Sequence, residues 1–131
     1  MSAADPHVWL RYAREDLVAA ERMEAIDEVA RRTVSWQAQQ AAEKALKAVL
    51  VADQVEFPFT HDLPALVKLV PEARATKSAQ HLRTLTRWGA PQRYPLRSRQ
   101  PTAEEARALV GYARAVVELA ARDIEGAHGE G

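Results

Sequence analysis

The sequence predicts an all-α protein, an antiparallel up-and-down bundle of four to five helices. Three observations lead there. Apolar residues recur at spacings of three and four in several separate stretches, and none alternates with the period of a strand. Each stretch is bounded by a capping residue, a proline or a glycine. A length of 131 residues suits one domain able to bury its own core, placed at 1–125 with a flexible tail over 126–131.

Asp5-Pro6 reads as the first helix start, a carboxylate cap followed by a proline tolerated at the first helical position. From there Trp9, Ala13, Leu17 and Ala20 keep helical spacing to about Met23. A charged turn over Glu21 to Glu28 leads to a second helix from Val29 to about Asp53, where Ala38, Ala41, Ala42, Ala45 and Val49 gather on one side and let another helix approach closely. Trp36, Gln40, Glu43 and Lys47 form a polar stripe on the other side. Phe57-Pro58-Phe59 interrupts the helical pattern, and Thr60 or Asp62 can cap a short third helix built on Leu63, Leu66, Val67 and Val70 and ended by Pro71. A polar fourth helix is expected from Ala73 to Trp88, stopped by Gly89-Ala90-Pro91 and followed by a proline-punctuated basic loop to Pro101. Thr102 and Glu105 then supply a capping box for a last helix whose buried stripe is Ala106, Leu109, Val110, Ala113, Val117, Ala120 and Ile124.

Without cysteine the chain has no disulfide framework, thiolate zinc site or cysteine nucleophile, as expected for a reducing cytoplasm. There is no apolar stretch of about 18 residues and no signal-like start, so neither membrane insertion nor export is expected. No cofactor is indicated, and His7, His61, His81 and His128 lack paired ligand spacing, so no metal is expected.

Lys+Arg and Asp+Glu balance at 18 each, but they are unevenly distributed. Between Glu72 and Glu104 there is no acidic residue, while Arg74, Lys77, Arg83, Arg87, Arg93, Arg97 and Arg99 all fall in that interval. Such a segment can serve as a phosphate-binding surface, or its arginines can be neutralised by carboxylates of neighbouring helices.

The run Gln39-Gln40-Ala41-Ala42-Glu43-Lys44-Ala45-Leu46-Lys47-Ala48, then Thr60-His61-Asp62-Leu63, then Arg93-Tyr94-Pro95, resembles the HEPN domain family over most of the chain. That resemblance implies a helical bundle that forms a homodimer, binds nucleotide or RNA, and pairs with a small nucleotidyltransferase as one half of a toxin-antitoxin module. Many branches of the family are metal-independent endoribonucleases, carrying an Arg, a polar residue after it and a His four to six residues further on. Arg74 and His81 are the candidate catalytic pair here. They depart from the pattern because Ala75 follows the arginine and the pair precedes the Arg93-Tyr94-Pro95 block. On one helix they would stand roughly 10 Å apart along the axis, a separation that a dimer, rather than one helix, would bridge.

A binding protein without catalysis of its own is therefore the expected function, through a cleft edged by Gln40, Glu43, Lys44, Lys47, Arg87, Arg93 and Tyr94. An endoribonuclease toxin is the first alternative, and a structural dimerisation module the second. Residue by residue, other roles compete. Glu43 and Lys47 suit a surface ion pair at i, i+4. Asp62 suits a helix cap, and Tyr94 can plug the end of the bundle. Trp36 is expected to be covered by packing, by Phe57, Phe59 or another helix, or by a partner chain in a dimer, ahead of stacking on a base.

Overall fold

The computed structural model describes residues 5–60, 62–70 and 101–130, with side chains as far as Gly126. Every regular element among these residues is a helix. Helix α1 (Pro6–Glu24) starts as its sequence dictates: the Asp5 carboxylate accepts the His7 amide at 2.9 Å and Pro6 takes the first helical position. Its buried line is Leu10, Ala13, Leu17 and Ala20. Leu10 thus takes the inward place expected of Trp9, which packs half-buried at the edge of the core.

Helix α2 (Arg31–Ala52) follows a short turn. Ala30 caps it without a side-chain hydrogen bond. At its other end the Val55 amide bonds the Leu50 carbonyl and the Gln54 amide bonds that of Val51, while Gln54 takes φ 61°. This is a Schellman stop with glutamine in the left-handed position that usually holds glycine. Helix α3 (Leu63–Leu69) is capped by Asp62, which accepts the Ala65 amide, so of the two expected caps Asp62 serves the helix while Thr60 Oγ1 accepts the Asp62 amide.

Helix α4 (Ala103–Glu130) opens with the reciprocal box read from the sequence: the Glu105 amide donates to Thr102 Oγ1 at 3.1 Å and the Thr102 amide to Glu105 Oε1 at 2.8 Å. The expected inward stripe is buried, with Val116 added. The helical backbone runs on to Glu130, through the segment expected as a tail from Gly126. A glycine in a helix costs only about 1 kcal/mol against alanine, so it does not by itself end one.

The core is organised around α2, which packs against α1, α3 and α4, with α1 and α4 also in contact. Ala38, Ala41, Ala42, Ala45 and Ala48 are all fully buried, and their small side chains let neighbouring backbones come close. Larger residues, Leu10, Leu50, Leu66 and Leu109, fill the space between helices, each worth about 1.5–3 kcal/mol of transfer free energy. Pairings across the bundle fix helix directions. Lys44 meets Asp16 and Lys47 meets Trp9, so α1 and α2 are antiparallel. Arg14 meets Glu125 and Glu21 meets Arg114, so α1 and α4 are antiparallel too. Helices α2 and α4 therefore run parallel, in keeping with the contact between Arg31 and the carbonyl of Pro101 at their starts. No helix among the described residues is long and apolar enough to cross a membrane.

Candidate functional site

Four buried polar residues stand on one line of α2, spaced by four: Ser35, Gln39, Glu43 and Lys47. Steps of four on a 3.6-residue helix keep side chains neighbouring and drift slowly around the axis. The stripe expected from sequence began at Trp36 and Gln40 instead. Structure and expectation share Glu43 and Lys47, but the line continues inward through Gln39 and Ser35, whereas Gln40 is half-buried and Trp36 is on the surface.

At the centre of this line Lys47 Nζ donates to Glu43 Oε2 at 2.9 Å, with side-chain exposures of 8% and 4%. The pair expected at the surface is thus internal. Two aromatic rings cover it: Lys47 Nζ is 5.2 Å from the ring centroid of Trp9 on α1 and 6.0 Å from that of Phe57 in the loop after α2. Those rings meet edge to face at 6.4 Å. An ammonium between aromatic faces gains cation–π attraction as well as its carboxylate, and both compensate for lost water. This arrangement ties the start of α1, the second half of α2 and the following loop together.

Lys44, half-buried, pairs with the Asp16 carboxylate, and Gln37 Nε2 donates to the Asp16 carbonyl at 3.4 Å. Of the α2 residues expected to meet a ligand, Glu43, Lys44 and Lys47 therefore have partners within the chain. Trp36 is 44% exposed. Neither phenylalanine expected to cover it does so, because Phe57 packs on Trp9 and Phe59 is almost wholly exposed. Of the other expected site residues, Arg74, His81, Arg87, Arg93 and Tyr94 lie outside the described residues, as does His61. Asp62 is accounted for as a cap. Among the described residues no three His, Asp or Glu side chains group as metal ligands.

Two features escaped the sequence reading. The Trp9 and Phe57 cover on Lys47 joins residues far apart in the chain, and no local signal points to it. Arg31 Nη1 reaches the carbonyl of the buried Pro101 at 3.5 Å. That contact brings the end of the acid-free interval to the start of α2.

An all-helical bundle centred on one alanine-lined helix, with a buried Glu-Lys pair inside the signature run, is thus the setting of any site. The HEPN domain family model matches residues 7–124, and the chain belongs to that family. No curated protein sequence and no solved structure matches it.

Proposed function

We infer that this HEPN protein binds nucleotide or RNA without catalysing its cleavage, acts as a homodimer, and forms one half of a toxin-antitoxin pair with a nucleotidyltransferase. The observation that carries the reading is the charge distribution: seven Lys and Arg and no acid between Glu72 and Glu104, in a chain of zero net charge. A local excess of cations in a neutral chain attracts polyanions through counterion release. On this reading Glu43, Lys44 and Lys47 hold α2 in place, while Gln40, Arg87, Arg93 and Tyr94 meet the ligand. Arginine supplies a bidentate fork for phosphate and tyrosine a ring for stacking.

The test is fluorescence anisotropy with labelled RNA and with nucleotides at low salt. The expected result is RNA binding that weakens steeply as salt rises. Absence of binding at low salt would overturn the reading. Incubating total RNA with the protein in EDTA tests the rival, a metal-independent endoribonuclease. RNA retarded on a gel but intact supports binding alone, whereas cleavage by wild type that His81→Ala abolishes would establish a nuclease with His81 in its machinery.

A further inference from the structure

We propose that the outer face of the first turns of α2, centred on Trp36, is a stacking platform for an unpaired base of single-stranded RNA. The proposal rests on the RNA-binding reading above and gives it a location and a substrate class. Three observations meet at this place. Trp36 presents a large ring to solvent, 44% exposed. Arg32, one helical turn before it on the same face, and Arg31 are both exposed. From Val29 to Ala42 there is no carboxylate in the sequence; Glu28 and Glu43 bound the stretch, and Glu43 is buried.

The Arg31 guanidinium also donates to the carbonyl of the buried Pro101 at 3.5 Å, at the start of α2. An exposed indole with guanidinium groups beside it matches the chemistry of single-strand recognition, in which aromatic faces take bases and cations follow the backbone. A duplex keeps its bases stacked and offers this ring nothing.

Charge also decides against a second copy of the chain as the occupant. The exposed guanidinium groups of Arg31 and Arg32 favour a polyanion over a second copy of this chain, whose net charge is zero.

The experiment measures anisotropy of a labelled single-stranded oligoadenylate and of an RNA duplex with the full chain. Wild type is expected to prefer the single strand. Trp36→Ala should weaken single-strand binding about fivefold to hundredfold, the equivalent of the ~1–3 kcal/mol found per stacked base, and Trp36→Phe should restore most of it. The double variant Arg31→Gln, Arg32→Gln should lower the slope of log affinity against log salt by about 0.7 for each phosphate it no longer neutralises. Trp36 is at the surface, so a thermal melt of Trp36→Ala matching wild type is expected and certifies its fold. Wild-type binding with unchanged affinity in Trp36→Ala overturns the platform alone. A dimer by sedimentation that Trp36→Ala converts to monomer overturns it in favour of a second copy. No RNA binding by wild type overturns the proposed function and the platform with it.

Discussion

The second half of α2 is buried almost all round, whereas its first two turns bury one face, Val34 and Ser35, and expose the other. From Glu43 to Leu50 every residue but Lys44 is buried, charged residues included, while in the first two turns Arg31, Arg32, Thr33 and Trp36 are all exposed. Partners make the difference. The second half lies against the early part of α1, where Trp9 and Phe57 close over Lys47. The antiparallel first half lies towards the end of α1, which stops at Glu24. A charged group in the covered half serves the fold, because its partner is fixed and water is excluded. A cation or ring on the exposed face of the first turns remains accessible to a ligand.

The largest effect that can test this contrast is loss of the buried pair. Lys47→Ala leaves the Glu43 carboxylate inside the bundle without its ammonium, and truncating one member of such a pair costs about 3–5 kcal/mol. Against the ~5–15 kcal/mol available to a typical domain, that lowers the melting temperature by roughly 10 °C or more. Replacing both members with apolar side chains, Glu43→Leu with Lys47→Met, removes the buried carboxylate together with its ammonium and should recover most of the loss. Calorimetry on the single and double variants checks the order. A double variant no better than Lys47→Ala would mean that the pair fixes the geometry of α2 in a way packing cannot replace. Trp36→Ala gives the opposite pattern in the uncovered half, with binding lost and stability kept within about 0.5 kcal/mol.

A smaller effect sharpens the same comparison at the boundary where α2 gives way to the loop bearing Phe57. Gln54 occupies the left-handed position of the Schellman stop, at φ 61°. A side chain with a Cβ pays about 1 kcal/mol or more there, and glycine does not, although glycine also frees the unfolded chain. Gln54→Gly should therefore raise stability by roughly 0.5 kcal/mol, read as a higher urea midpoint with unchanged slope.

Much of this architecture was legible in the sequence because its signals are local. Asp5-Pro6, Asp62 and the Thr102-Glu105 box act within one turn, and they cap helices as read. The alanine line of α2 and the stripe of α4 follow from periodicity alone. The polar stripe was harder. Residues 39 and 40 differ by about 100° around the helix, and both are glutamines within reach of Glu43, so composition cannot say which faces inward. The position of Trp9, on another helix, decides it. The same is true of Trp36, whose exposure is set by tertiary packing and not by its neighbours in sequence. The helical backbone passes Gly126 because the penalty for one glycine is small beside the propagation of a long helix.

The smallest expected effect lies on the outer surface, at the fork between Arg14 of α1 and Glu125 of α4, with contacts of 2.8 and 2.9 Å and both side chains nearly half exposed. The hydrogen bond from Arg14 holds the Glu125 carboxyl below its ordinary pKa, with the charges of Arg14 and His7 acting in the same direction and partial burial opposing them. The Arg14 guanidinium is correspondingly raised, mainly by the same bond, and stays charged throughout. As pH falls the unfolded chain takes up this proton before the folded one. The pair therefore stabilises fully above the ordinary carboxylate range, and its contribution is lost as pH drops through the lowered value of Glu125. Solvent screening limits that contribution to a few tenths of a kcal/mol, far below the effect of the covered pair on α2. Glu125→Gln should lower the urea midpoint slightly at neutral pH and match wild type once Glu125 itself is protonated. A gap of equal size at both extremes would mean that packing of the glutamate stem, rather than its charge, holds the two helices together at this point.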